Sequence, residues 1–512
     1  MTEKIVLLVI FFAMMVAVGF YCRKHTSDVN GFVLGGRSVG PWLTAFSYGT
    51  SYFSAVIFVG YAGQFGWKYG IASTWIGLGN AFLGSLLAWV VLGRRTRIMT
   101  QYLDTATMPE FFGKRFNSNK LKIGASIITF VFLIPYTASL YNGLSRLFGM
   151  AFNIDYTVCI VVMAILTGVY VIAGGYMATA VNDFIQGIIM IGGIIAVIAA
   201  ILQSHGGFMA SLNALSMVND AAVSTQQGVF ASFFGPNPLE LLGVVILTSL
   251  GTWGLPQMVG KFYAIKDEHS INQGMVISTI FAVIVAGGSY FLGGFGRLYA
   301  DKINIAADGY DAVIPKMLEN LPSLLIGIVV ILVLSASMST LSSLVMASSS
   351  TLALDLIKDN IMKDMDDKKQ VFVIRCLIVV FILISVIIAV VQYKSSVTFI
   401  AQLMGISWGA LAGAFLAPFL YGLYWKRTTC AAVWTTFIFS TVLMASNMLF
   451  RSAFPPFLQS PINAGAVAML AGLIMVPVIS ILTKAPDKKM VDDAFASYDK
   501  TVTVPLKEDL GE

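Results

Sequence analysis

Apolar stretches long enough to cross a bilayer recur from residue 5 to residue 483, and no hydrophilic block between them is large enough for a soluble domain. A helix rising about 1.5 Å per residue needs about 20 apolar residues to span a hydrocarbon core about 30 Å thick. Within that core an unpaired peptide group costs several kcal/mol, which confines such segments to a bundle of helices. Composition agrees: 57% of the 512 residues are hydrophobic and 11% are charged, at a mean hydropathy of +0.82, whereas soluble domains carry roughly a quarter charged residues. The expectation is an all-α polytopic membrane protein with about thirteen spans, near 5–22, 41–66, 70–94, 122–149, 156–174, 178–203, 238–263, 272–296, 323–355, 371–393, 397–424, 429–450 and 462–483. One transmembrane domain then fills residues 1–483, and the polar tail 484–512 is expected to be disordered. The run Ile5–Tyr21 lacks a small-x-small cleavage pattern before Arg23-Lys24, so it is expected to be the first span rather than a signal peptide. Cys22, Cys159, Cys376 and Cys430 lack paired metal or redox spacing and are expected to be small apolar fillers.

Charge distribution orients the spans. Arg23, Lys24, Arg37, Arg94, Arg95, Arg97, Lys114, Arg115, Lys120, Lys261, Lys266, Lys358, Lys363, Lys368, Lys369, Lys426, Arg427 and the tail lysines all fall on one side of a thirteen-span arrangement. The opposite connections are poor in Lys and Arg, and the stretch 204–237 has none. By the positive-inside tendency the N-terminus is expected outside a cell membrane and the tail in the cytoplasm, with 297–322 capping the outer face. This asymmetry accounts for a net charge of +6 without a nucleic-acid partner. Membrane lipid is the expected surrounding, and no obligatory protein partner is evident.

Two spans carry polar interruptions. Span two contains Ser47-Tyr48-Gly49-Thr50-Ser51-Tyr52-Phe53-Ser54, and span seven, five spans later, contains Thr248-Ser249-Leu250-Gly251-Thr252-Trp253-Gly254-Leu255-Pro256-Gln257. Small and hydroxyl residues also serve as packing positions and tolerated kinks in membrane helices. Their matching placement favours broken helices in a five-plus-five inverted repeat, with core halves at about 41–203 and 238–424. A break frees backbone carbonyls that can replace the water around a small cation.

An acid inside a span is costly unless it is paired, hydrated or ion-bound, which makes Asp183 in Asn182-Asp183-Phe184-Ile185-Gln186-Gly187 a functional candidate. The alternative is a solvated helix-start acid at the interface. In span nine, Ser335, Ser339, Ser342 and Ser343 fall at helical spacing on one face, either as interhelical glue or as oxygen ligands for a hard monovalent cation. His25, His205 and His269 lie in loops, so no histidine relay crosses the membrane. Tyr136, Tyr141, Trp253 and Trp408 are candidates for a pocket lining or for ordinary packing.

At these residues the chain resembles the sodium:solute symporter family. The resemblance rests on Leu34-Gly35-Gly36-Arg37-Ser38-Val39-Gly40-Pro41, Asp183-Phe184-Ile185-Gln186-Gly187, the span-nine serines with Asp355 downstream, and Gly409-Ala410-Leu411-Ala412-Gly413-Ala414 through Pro418 and Gly422 to Trp425-Lys426-Arg427. It implies a LeuT-like fold, alternating access, no enzymatic activity and no cofactor beyond sodium as the coupling ion. It further implies a sodium site using the backbone carbonyls of Thr50, Phe53 and Ala336 with the hydroxyls of Ser339 and Thr340. A second site, found in part of the family, would use Asp183, Ser339, Ser342 and Ser343. Ser54, Tyr136, Trp253, Pro256 and Gln257 are the candidate substrate contacts. Proline permeases of the family carry an aspartate where this chain has Tyr52, and sialic acid symporters an arginine where Tyr136 aligns. The first difference argues against a strict proline permease and the second against sialic acid, leaving an amino acid such as proline or a small carboxylate. A proton-coupled transporter of the same architecture is the second reading. A transporter-like sensor would need a cytoplasmic signalling module, and an intramembrane enzyme a nucleophile–base pair or a metal cluster; the sequence offers neither.

Overall fold

A computed structural model of the chain describes residues 2–25, 28–152, 155–359, 361–395 and 400–499. Residues 397–399 at the start of the eleventh expected span and the tail from residue 500 lie outside the described residues, as do the side chains of Lys24 and His25. Most of the described residues are helical, and they form no sheet; there are only the isolated bridges Val39 to Ile265 and Asp220 to Ser224. We number the principal helices α1 (Thr2–Tyr21), α2 (Pro41–Tyr52), α3 (Val56–Tyr102), α4 (Asn119–Phe152), α5 (Tyr156–Ser204), α6 (Pro238–Trp253), α7 (Pro256–Ala264), α8 (Glu268–Gly293), α9 (Ser323–Lys358), α10 (Asp367–Ser395), α11 (Ile400–Tyr424), α12 (Cys430–Leu449), α13 (Pro461–Leu482) and α14 (Lys488–Ala496).

Ten helices are long and apolar enough to cross a membrane, and α6 with α7, bent by 40°, makes up to eleven spans. The difference from the expected thirteen lies at two glycines. Gly70 inside α3 has φ 61 and Gly175 inside α5 has φ 55, so each of these long helices breaks where an L side chain would be strained. Both positions are also closed to a Cβ, which would fall 2.0 Å from the Phe230 carbonyl oxygen at Gly70 and 2.8 Å from the Phe32 carbonyl oxygen at Gly175. Divided there, the segments match the expected boundaries at 66/70 and 174/178.

The centre of the bundle is α9 and α11, with 83% and 94% of their apolar windows buried, whereas α1 has 17% and α12 and α13 have 39% each. The segments at 297–322 pack inward through Ile303, Val313, Ile314 and Met317, with Val313 and Ile314 against Gly63 of α3.

The basic connections gather at one end. Arg97 donates to the Ile265 carbonyl at 2.6 Å, Arg115 to that of Gly422 at 2.9 Å and Arg95 to that of Leu423 at 3.1 Å. Each guanidinium thus satisfies carbonyls left open at a helix end. The tail departs from the disorder expected of it through residue 499: α14 buries Val491 and Ala494, and Phe495 and Tyr498 sit under the guanidiniums of Arg115 and Arg95. An apolar face at helical spacing outweighed the polar average of the segment. Cys376 is exposed rather than a core filler, while Cys22 and Cys159 are buried.

Candidate ion and substrate site

Both expected helix breaks are present and alike. Between α2 and α3 the chain passes through Phe53 at φ −82, ψ 120, and between α6 and α7 through Leu255 at φ −88, ψ 122. An extended residue interrupts the helix in each case. Pro256 then opens α7 at a position where no N–H is needed.

At the first break, five oxygens converge. Ser339 Oγ lies 3.2 Å from the Thr50 carbonyl oxygen and 3.2 Å from that of Ala336. Thr340 Oγ1 lies 3.1 Å from the Thr50, 3.3 Å from the Phe53 and 3.0 Å from the Ala336 carbonyl oxygens. All five residues are fully buried. A hydroxyl has one proton, so Thr340 can donate to only one of three carbonyls. The remaining approaches bring lone pairs together, an arrangement that a small hard cation among neutral oxygens would make favourable.

Asp183 is fully buried, which rules out a solvated acid at the interface. Its Oδ2 accepts from Ser47 Oγ at 2.5 Å and lies 3.9 Å from Lys261 Nζ; its Oδ1 has no protein partner. Lys261 Nζ donates to Ser343 Oγ at 3.0 Å, and Ser343 Oγ is 2.7 Å from Ser51 Oγ. The four residues expected as a second sodium site are therefore not drawn to a common point by hydrogen bonds. Ser339 turns to the first site, Ser342 Oγ donates to the Ser339 carbonyl at 2.9 Å, and Ser343 faces Ser51 and Lys261. Ser335 is buried without a hydrogen-bond partner, and Asp355, nearer the basic end, accepts from Thr107 Oγ1 at 2.6 Å.

The five candidate substrate contacts divide. Ser54 Oγ and the Tyr136 hydroxyl are buried and face one another, in a polar group where Tyr136 also approaches Trp408 and the Tyr52 hydroxyl approaches that of Tyr290. Trp408 holds this group together, its ring centroid 5.9 Å from Tyr136 and 5.8 Å from Tyr52. Pro256 and Gln257 instead line a cavity of about 50 Å³ with Lys261, Tyr176 and Ser343, and neither amide atom of Gln257 has a partner. Trp253 is committed elsewhere, donating to the Leu83 carbonyl at 2.9 Å. Sequence reasoning missed two of these residues. The position of Lys261 at the end of span seven groups it with the basic connections, although Gln257 precedes it by one helical turn, and Tyr290 sits in an apolar span with nothing to mark it.

The sequence model of the sodium:solute symporter family matches residues 32–438, which include every residue of both breaks and of α9. The chain belongs to that family. The symporter is 29% identical over 500 residues to the osmoregulated proline transporter OpuE of Bacillus subtilis (strain 168), covering 95% of this chain and 96% of that one. It is also 29% identical to the sodium/proline symporter of Staphylococcus aureus (strain JH9), over 84% and 82% of the two chains. Among solved structures, a Na+-coupled sialic acid symporter in a substrate-bound outward-open state superposes with a TM-score of 0.71 at 16% identity, covering 95% of this chain and 99% of that one. Mhp1, a nucleobase-cation-symport-1 family transporter in a closed conformation, gives 0.53 at 11% identity, over 92% and 99%. At those identities the likeness is one of fold, and it places the symporter among transporters with the LeuT-like architecture. Family membership carries the coarse activity: sodium-coupled symport of a small solute, not enzyme catalysis.

Proposed function

We propose that the protein carries a small carboxylate-bearing solute, an amino acid such as proline, into the cell together with sodium by alternating access. The observation that carries this reading is the adjacency of two features at one break. Five buried oxygens from α2, the break and α9 converge, and the hydroxyl and indole groups of Ser54, Tyr52, Tyr136 and Trp408 cluster beside the same break. Such a cluster of neutral O–H and N–H groups can turn its donors to an anionic solute group, and a carboxylate is the group that such donors satisfy best. The proline transporters among the relatives support an amino acid, and Tyr52 in place of an aspartate removes an anionic partner for the amine.

In this reading sodium enters among Thr50, Phe53, Ala336, Ser339 and Thr340 and holds α2 against α9. The solute then binds beside it, and closure of the outer path opens the cavity lined by Gln257 and Lys261. We assign the basic end to the cytoplasm of the cell membrane and the N-terminus to the outside, as the charge asymmetry directs. Low internal sodium and a potential of about 2.3 kcal/mol per charge per 100 mV favour inward release. A competition panel tests the substrate class. In proteoliposomes with an inward sodium gradient, uptake of labelled proline should be suppressed by unlabelled amino acids and small carboxylates and not by prolinamide. Equal competition by prolinamide would contradict carboxylate recognition.

A further inference from the structure

A buried carboxylate needs a compensating charge, and at Asp183 the chain brings its own. Lys261, on the half-helix α7 beyond the second break, is 3% exposed, and its ammonium has three neighbours. These are Asp183 Oδ2 at 3.9 Å, Ser343 Oγ at 3.0 Å and the face of the Tyr176 ring at 5.2 Å. Among the described residues, this is the only ion pair either residue makes. Two of the four residues expected to hold a second sodium, Asp183 and Ser343, are thus already in contact with a cation that cannot leave. The other two direct their hydroxyls to backbone carbonyls.

We propose that the Lys261 ammonium is a built-in cation that stands in for a second sodium at Asp183, so that the symporter couples its solute to one sodium, bound at the Thr50 site. The inference rests on the sodium-coupled reading above and extends it to stoichiometry. Charge decides the matter. Carboxylate and ammonium cancel, and sodium added to a neutral buried pair would leave an uncompensated positive charge where desolvation is costly. Asp183 Oδ1, the oxygen a second ion would have to use, has no protein partner, but its charge is already balanced. The hydrogen bonds are consistent with this arrangement. Ser343 accepts from the ammonium and can donate to Ser51, while Ser47 donates to the carboxylate. The pair therefore ties α7 of the second repeat to α2, the second half of α5 and α9. A mobile ion there would be released through the neighbouring cavity, which Lys261 lines together with Thr107 and Met108 near the basic end. The tethered one remains and carries no charge across the membrane.

Removing the ammonium should create the site it replaces. Binding of radioactive sodium to the purified full-length protein is expected to reach one ion per chain with a Hill slope near one. In Lys261→Gln it should rise to two ions per chain with a slope above one, because Asp183 then lacks a countercharge. Lys261→Arg, which keeps the charge, and the double variant Asp183→Asn with Lys261→Gln, which removes both charges, should each bind one ion. These two keep the proposal testable should Lys261→Gln fold poorly. Two ions per wild-type chain, or one ion in a folded Lys261→Gln, would overturn the proposal. No sodium binding by the wild-type protein would instead overturn the sodium-coupled reading on which it rests.

Discussion

Thr340 is the residue on which the ion site is most exposed to test. Its hydroxyl lies within 3.0 to 3.3 Å of three carbonyls drawn from both sides of the α2–α9 contact, and valine has nearly its shape without the oxygen. A hydrogen-bond partner of a charged group contributes about 1.5–3 kcal/mol, and each 1.4 kcal/mol is tenfold in affinity. Thr340→Val is therefore expected to raise the half-saturating sodium concentration for uptake by about tenfold to a hundredfold, with the maximal rate approached at high sodium. An unchanged sodium activation curve would remove Thr340 from the site. Residue by residue, the sequence is most legible where a break and a hydroxyl face meet, because both leave a polar mark in an apolar helix. It is least legible at Lys261. A cation near the end of a span is ordinarily a loop cation, and only the packing of α7 against α5 and α9 shows it buried beside Asp183.

At the scale of elements, the two glycine breaks set where long helices divide. Gly175→Ala must place a Cβ 2.8 Å from the Phe32 carbonyl oxygen at φ +55, ψ −149, a sparsely populated conformation that costs about 1–3 kcal/mol before any clash. It is expected to lower the unfolding temperature of the detergent-solubilised protein by several degrees; an unchanged transition would mean that α5 does not need this geometry. The divisions were legible as gaps between apolar runs. Helix α14 was not legible for a different reason. Its segment averages as polar, and the apolar face of Val491, Ala494 and Phe495 acquires meaning only when Arg95 and Arg115 are present to cover it. The connection between α5 and α6 is held by Asp220, whose Oδ2 accepts from Arg297 at 2.7 Å. That hydrogen bond, with the guanidinium charge, holds the Asp220 carboxyl below its ordinary value, which is about 4. A depressed folded value means the link stabilises the fold above the ordinary value and loses its effect as pH falls through the folded one. The pair is partly exposed, so its contribution is below about 1 kcal/mol. Asp220→Asn should accordingly unfold slightly earlier than wild type near neutral pH, and the two melting curves should converge in acid. A constant offset at every pH would contradict the pairing.

At the scale of the molecule, hydropathy and family resemblance together anticipated an all-helical bundle with two broken spans and a buried centre, because those features are written in runs of about twenty residues. The meeting of Ser54, Tyr52, Tyr136, Tyr290 and Trp408 was not written there, since it joins α2, α4, α8 and α11 across the fold. The whole-molecule claim is that a sodium gradient drives solute accumulation through the site where α2 breaks against α9. The most direct measurement is labelled proline uptake into proteoliposomes under an inward gradient of sodium, compared with equal gradients of potassium or choline and with a proton gradient alone. The account predicts transient accumulation above equilibrium with sodium and only equilibration with the others. Accumulation that persists when choline replaces sodium, or that follows the proton gradient, would contradict it.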